Sequence, residues 1–344
     1  MDTTIYQEKD LENQDVLDHI HNVISSDGLV VFPTETVYGI GANALNPKAA
    51  HKIYGVKGRP SDNPLIVHIA DIDWLPDLVT HISSQAKKCI QAFWPGPLTL
   101  VFHKQDIIPY EITGGLETVG IRYPSHRLAL KTIKAAQKPL GAPSANISGR
   151  PSSTMFEHVI SDLMGKVDII IDGGKSTIGL ESTVLDVTSD IPTILRPGFV
   201  SKQMIETVLG MSILDVSETQ LTDVPKSPGM KYTHYAPKGK ITVVEGTQKD
   251  VIKYINKTVE QLKDIKTAVI CATEFIKDIT CQHVIDLGSV SDPDEIASNL
   301  FIALRQMDDL AIEHIFTHTF SKDHIGSAIM NRLLKASGYN IITL

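Results

Sequence analysis

The sequence predicts an α/β protein of two domains, a mixed sheet followed by a small parallel sheet. Three observations predict it. The chain has 344 residues, more than one hydrophobic core usually serves at about 100–200 residues per domain. Up to about residue 210, short apolar strand patterns outnumber helical ones, and not every pair of strands has a helix between it. Beyond a breaker-rich stretch at 211–240, strand and helix patterns alternate, as parallel pairing requires. The domains are accordingly drawn at 1–210 and 241–344, with 211–240 as the linker.

An amphipathic helix is predicted from Asp10 to Ser25, with Leu17, Ile20 and Ile24 on one face and Gly28 beyond its end. Leu29–Phe32 follows as a buried strand closed by Pro33. Pro47 opens a helix running to Val56, because proline's missing N–H costs nothing in the first turn. Leu65–Ile69 is the next strand. Further strands fall near 98–102, 118–122, 167–171, 182–187 and 193–195, with helices near 83–92, 125–137 and 154–163. The linker carries Pro225, Pro228, Gly229, Pro237 and Gly239. It also holds Tyr232, His234 and Tyr235, aromatics that solvated linkers seldom carry so densely. The second domain reads strand 241–244, helix 248–263, strands 268–271 and 284–287, helix 293–307, strand 312–317, helix 325–336 and strand 341–343.

Composition narrows the function classes. With 42% hydrophobic and 21% charged residues the chain folds, and its net charge of −8 argues against a bulk-basic nucleic-acid binder. Residues 1–215 alone carry 18 basic against 24 acidic side chains. Cys89, Cys271 and Cys281 form no CxxC and predict neither a disulfide framework nor a cysteine zinc site. The N-terminus is acidic without an apolar signal core, and no apolar run approaches the ~20 residues of a membrane span. A soluble cytoplasmic protein is expected.

Four loops combine polar groups with Gly and Pro where strands end, the usual place for ligands in α/β sheets. They are PTETVYGIG (33–41), KGRPSDNPL (57–65), GAPSANISGRPS (141–152) and GGKSTIGLESTV (173–184). In the second, Lys57 and Arg59 flank Gly58, and Asn63 lies between prolines that fix the path. Two such cations in an acidic protein suit a polyphosphate, Arg as a fork and Lys as a point charge, although a solvated basic turn after a helix has the same pattern. The small hydroxyls and amide of Pro143–Gly149 can surround an anion or ribose, or form an ordinary Ser/Asn turn. Gly173-Gly-Lys-Ser-Thr is no P-loop, since Ile169 stands where the first glycine should be. Arg122 ends a strand and can pair with a carboxylate, while His68 in an apolar strand reads first as a core histidine. His314 and His318, four apart on a strand, share a face but lack HExxH, and no metal site is assigned.

In this order, PTETVYGIG, KGRPSDNPLIVH, WPGPLT, VGIRYP, APSANISG, GLESTVLD and RPG resemble the threonylcarbamoyl-AMP synthase family with its YrdC-like domain, across about residues 10–210. SPGMKYTHYAP and the closing GSAIMNRLLKASG look like the family's two-domain members. The resemblance implies a twisted mixed-sheet catalytic domain with a concave cavity and a Rossmann-like accessory domain. It also implies a linker that reaches back as an active-site lid. The implied activity condenses L-threonine, bicarbonate or CO2, and ATP into threonylcarbamoyl-AMP and pyrophosphate. That product supplies a downstream threonylcarbamoyl transferase machinery that makes t6A in tRNA, so this step requires neither direct tRNA binding nor a membrane. By the same resemblance Thr34, His68, Arg122, Ala142 and Ser182 line the threonine pocket. Lys57, Arg59, Asn63, Thr118, Ser144, Asn146, Ser152, Arg196 and His234 match the nucleotide positions, with Lys57 and Arg59 supplying catalytic charge. Mg2+ is expected, held mainly through ATP phosphates. The alternative from another class is an RNA-binding or ribosome-maturation module that uses the concave face without chemistry. A carbamoyl-phosphate-dependent carbamoyltransferase ranks lower, because the chain shows no acylphosphatase-like or zinc-finger segment.

Overall fold

A computed structural model describes residues 2–216 and 234–344. Most of the expected lid, Tyr232 included, lies outside the described residues. Among the described residues two units are distinct, one of 2–148, 152–177 and 181–216, the other of 149–151, 178–180 and 234–344.

The first unit is built on eleven described strands: β1 (Thr4–Gln7), β2 (Val30–Phe32), β3 (Gly39–Asn43), β4 (Ile66–His68), β5 (Leu98–His103), β6 (Thr118–Arg122), β7 (Leu140–Gly141), β8 (Ile169–Asp172), β9 (Thr183–Asp186), β10 (Thr193–Arg196) and β11 (Leu214–Asp215). Their order across the sheet is β1-β8-β2-β3-β7-β4-β6-β5-β9-β10-β11. Parallel pairs (β4 with β6, β5 with β9) alternate with antiparallel ones (β5 with β6, β9 with β10), so the sheet is mixed, as the sequence predicts. The helices are α1 (Gln14–Ser25), α2 (Pro47–Lys57), the single turn α3 (Leu75–Leu78), α4 (Ser84–Phe93), the single turn α5 (Tyr110–Thr113), α6 (Arg127–Ala136), α7 (Phe156–Leu163) and α8 (Lys202–Leu209).

Local chemistry sets the helix ends. The Asn13 side chain accepts from the Asp15 N–H and starts α1, so the predicted first turn from Asp10 is instead a 3-10 turn over Glu8–Glu12. The buried stripe of α1 is Val16, Ile20 and Ile24, with Leu17 at its border. In α2, Asn46 caps, Pro47 takes the first turn, and Gly58 ends the helix at φ 61°. That termination, one residue later than predicted, places Lys57 in the last turn.

Burial separates the two faces of the sheet. Val67, Leu98, Leu100, Phe102, Val119, Ile121 and Leu185 point into the main core. On the opposite face, Val30, Phe32, Ile169 and Ile171 lie under α1 and α6. Over β4, β6, β5 and β9 that opposite face carries instead the small cluster Val101–Val184–Leu195 and a series of polar side chains.

β1, β3, β7, β11 and α8 were not expected. β3 reads GIGAN and overlaps the end of the predicted loop 33–41, because glycines suppress the strand signal. It is a strand because Phe32 packs over it: a Cβ on Gly41 would lie 2.7 Å from the Phe32 ring.

The second unit holds five parallel strands, β12 (Lys240–Glu245), β13 (Thr267–Cys271), β14 (His283–Asp286), β15 (His314–His318) and β16 (Ile341–Thr343), ordered β14-β13-β15-β12-β16. The connecting helices are α9 (Gln248–Gln261), the single turn α10 (Thr273–Ile276), α11 (Pro293–Asp309) and α12 (Gly326–Ala336). His314 and His318 are held within this sheet. His314 Nε2 lies 3.0 Å from the Thr242 hydroxyl, and His318 Nε2 accepts from the Ala272 N–H at 3.0 Å while its ring stacks on Phe275. Burial pushes the His318 pKa down to about 4. Among the described residues no helix is long and apolar enough to cross a membrane.

Candidate active site

The polar series on the free sheet face begins with β6. Val119 and Ile121 are buried in the core, so alternation turns Thr118, Gly120 and Arg122 to the other side. Gly120 has no side chain, which leaves bare backbone between Thr118 and Arg122. Register then places His68 of β4 and Thr99 of β5 on either side of Arg122, three polar residues in a row across three strands. Ser182, just before β9, continues the row with its Oγ 2.8 Å from the Thr99 hydroxyl. Arg196, at the end of β10, donates from Nε and Nη2 to the Ser182 carbonyl at 3.1 and 3.0 Å.

Arg122 is 4% exposed and its guanidinium is fixed. It donates through Nη2 to Glu35 Oε1 and through Nη1 to Thr36 Oγ1, both at 2.7 Å, with a longer bond from Nε to the Gly96 carbonyl at 3.4 Å. Burial pushes the Glu35 pKa up, but the charge and hydrogen bond of Arg122 outweigh it and hold the carboxyl below its ordinary range. Thr34 shapes this loop: its hydroxyl donates to the Val37 carbonyl at 2.6 Å and accepts from the N–H groups of Thr36 and Val37. Glu35 and Thr36 were not singled out in the sequence, although both lie within the quoted PTET.

His68 is held neutral. Burial, reinforced by the Arg122 charge, drives its pKa down to about 3. With Nδ1 donating to the Ile66 carbonyl at 3.1 Å, the neutral tautomer keeps a lone pair on Nε2. Ala142 contributes backbone, its N–H donating to the Ile66 carbonyl at 2.8 Å.

A second group of the expected residues meets at the end of α2. Lys57, 2% exposed, donates from Nζ to the carbonyls of Ser144 and Asn146. Its own carbonyl accepts from the Ser148 N–H at 2.9 Å. The Ser144 hydroxyl donates to Asn146 Oδ1 at 2.6 Å. Arg59 donates from Nη2 to the Pro64 carbonyl at 3.1 Å, so the 57–65 loop is folded around its own cation. Asn63 is 2% exposed, and its Oδ1 is a buried acceptor with no hydrogen-bond partner among the described residues. Buried acceptors of that kind normally have a partner, so Asn63 is suited to a ligand. The β4–β6 register runs in parallel from Ile66 opposite Gly120 to His68 opposite Arg122, so this loop enters β4 from the end of the bare strand away from Arg122.

Ser152, 1% exposed, donates its hydroxyl to the carboxylate of Glu181, a residue whose part was not foreseen. The 173–184 loop leads from β8 to β9 and not into a helix, so the rejection of a P-loop holds. His234 belongs to the second unit, where its ring is tilted against Tyr235. Among the described residues no group of three or more His, Cys, Asp or Glu side chains is placed to hold a metal ion.

A core of mixed strands with a cation-bearing polar face defines a class that comparison with known families makes specific. A family model described as Telomere recombination, covering Sua5, YciO and YrdC, matches residues 22–198. Another, described as the C-terminal domain of threonylcarbamoyl-AMP synthase, matches residues 200–338. The chain is thus an α/β enzyme of the YrdC-like class. The threonylcarbamoyl-AMP synthase of Pyrococcus abyssi is 47% identical over 317 residues, covering 91% of this chain and 92% of its own. That of Bacillus subtilis is 44% identical over 321 residues, covering 93% and 92%. A crystal structure of Pyrococcus abyssi Sua5 complexed with L-threonine matches with a TM-score of 0.93 at 43% identity, over 100% of both chains. The chain belongs to the threonylcarbamoyl-AMP synthase family, in its two-domain form. The alternative of an RNA-binding module without catalysis is set aside by these relatives.

Proposed function

We propose that this enzyme condenses L-threonine, bicarbonate or CO2, and ATP into threonylcarbamoyl-AMP and pyrophosphate, with threonine and ATP arranged along the bare face of β6. The observation that carries this reading is the fixed Arg122 at one end of that strand and the Lys57–Asn63 loop at the other. Arg122 takes the threonine carboxylate with the two N–H groups that Glu35, Thr36 and Gly96 leave unused. The paired hydroxyls of Thr99 and Ser182 face the threonine side chain. Neutral His68 accepts a hydrogen bond without adding a second cation, and the Arg122 charge favours the unprotonated amine of the substrate.

The amine nitrogen attacks the carbon of CO2, or of bicarbonate with loss of hydroxide, and loses a proton to give a carbamate. A carbamate oxygen then attacks the α-phosphorus of ATP, and the bond to the bridging oxygen breaks as pyrophosphate leaves. The chain needs no covalent nucleophile; it supplies position and charge. Arg59 faces the phosphates, while Lys57 holds the carbonyls of Ser144 and Asn146 so that their loop keeps its shape around the nucleotide. Thr118, Ser152 and Arg196 complete the nucleotide side. Mg2+ suits this site through the buried Asn63 oxygen, with phosphates and water as its other ligands. When bound it offsets phosphate charge. The product passes to a threonylcarbamoyl transferase machinery of the cytoplasm.

The test is a reaction of labelled bicarbonate, L-threonine, ATP and Mg2+ followed by mass spectrometry. Labelled threonylcarbamoyl-AMP is expected, with an equal amount of pyrophosphate. Pyrophosphate release without labelled adduct would refute the reading.

A further inference from the structure

The second unit includes two short segments, Gly149–Pro151 and Ile178–Leu180, that are continuous in sequence with the candidate nucleotide residues. Helix α11 of the same unit holds both. Arg305, 3% exposed, donates from Nε and Nη2 to the single carbonyl of Pro151, at 3.1 and 2.7 Å, across 154 residues of sequence. One turn further on, Asp308 pairs with Arg150 at 3.6 Å and accepts the Lys238 N–H at 2.7 Å. The Gly149 carbonyl accepts from the Ala236 N–H at 3.0 Å. Each residue of the 149–151 segment is therefore tied at a separate point. Gly179, at φ 78°, lies so close to α11 that a Cβ would stand 2.5 Å from the Ser298 Cα.

The residues that follow these segments are Ser152 and Glu181, which hydrogen-bond to one another. The residue before the first segment is Ser148, whose N–H is held by the Lys57 carbonyl. A change in the path of 149–151 therefore reaches Ser144 and Asn146 on one side and Ser152 on the other. Two donors from a buried guanidinium to one carbonyl restrain that path more strongly than neutral backbone bonds do.

We propose that Arg305 is a positioning residue for nucleotide binding, through which α11 sets the path of residues 149–151 and so the placement of Ser144, Asn146 and Ser152. This rests on the reading of those three residues as nucleotide contacts. It gives the second unit a part in catalysis that involves no contact of Arg305 with a reactant. The threonine side of the site rests mainly on β4, β5, β6 and the 34–37 loop, with Ser182 reached only through the Ser152–Glu181 bond, so the effect falls chiefly on ATP.

The test uses the full chain with Arg305→Met, Arg305→Lys and Asp308→Asn. Pyrophosphate release gives kcat and KM for ATP at saturating threonine and Mg2+, calorimetry gives threonine affinity, and thermal denaturation reports folding. Arg305→Met is expected to raise KM for ATP at least about tenfold, the loss typical of a charge-assisted bond, with threonine affinity within twofold of the parent. Arg305→Lys, which keeps one donor, should recover part of the loss. An unchanged KM for ATP in folded Arg305→Met would overturn the proposal, as would a parallel loss of ATP and threonine affinity. Should Arg305→Met fail to fold, Asp308→Asn decides: a selective rise in KM for ATP supports the proposal and an unchanged value overturns it. Absence of threonine-dependent turnover in the parent enzyme would instead refute the underlying reading.

Discussion

Replacing Arg122 by lysine isolates the geometry of the amino-acid side of the site from its charge. Arg122→Ala would strip a buried Glu35 of its partner, and removing one member of a buried ion pair costs about 3–5 kcal/mol. Lysine keeps the positive charge beside Glu35, whose side chain is 9% exposed. It cannot keep the fork: with Nη2 on Glu35 and Nη1 on Thr36, the guanidinium spans two acceptors and still has two donors for a carboxylate. An ammonium at one point loses the bidentate contact, and hydrogen bonds to charged groups are worth about 1.5–3 kcal/mol. At 1.4 kcal/mol per factor of ten, the threonine KM should rise about 10–100-fold while KM for ATP stays within twofold. Steady-state pyrophosphate release against threonine at saturating ATP measures this. A threonine KM within twofold of the parent, in a folded variant, would refute the assignment of Arg122 to the carboxylate.

Arg59→Ala should reduce threonine-dependent pyrophosphate release by about 10²–10³-fold, the usual cost of losing a group that stabilises developing charge, with the chain still folded because Arg59 braces its own partly exposed loop. Stability should fall in acid. The folded pKa of His68 is about 3 and that of His318 about 4, both below the ordinary ~6.5 of an unfolded histidine. Their stabilisation is therefore complete above about pH 6.5 and declines toward pH 4 by about 1.4 kcal/mol per pH unit for each ring, and a flat urea midpoint across that range would contradict it. Gly41→Ala should destabilise by about 1–3 kcal/mol through its clash with Phe32. Gly55→Ala, with nothing within 4 Å of its Cβ inside α2, should stabilise by about 0.5–1 kcal/mol; paired urea titrations measure both.

What the sequence made legible followed from local physics. Pro47 opened α2, and the apolar pattern near 118–122 marked β6 as a strand. The second sheet's alternating elements all fall within a few residues of their predicted places. Nothing comparable announced β3, whose strand character comes from Phe32 on its neighbour and not from its own glycines. The partners of the cations were equally hidden. Glu35 meets Arg122 across 87 residues and Ser152 meets Glu181 across 29, so only the folded chain brings these pairs together. The same applies to Lys57, which the loop pattern marked as a phosphate ligand and which here also braces two backbone carbonyls.

Thr118 and Arg122 belong to one five-residue strand that is hydrogen-bonded on both sides. Their separation, about 13 Å at 3.3 Å per residue, is inherited from backbone geometry and not from loops. Loop substitutions would therefore weaken the hold on either proposed reactant while the spacing of Thr118 from Arg122 stays fixed. On the proposed reading β6 is the enzyme's length standard: an amino acid with a longer reach between amine and carboxylate would bind Arg122 yet present its nitrogen out of register with the α-phosphate.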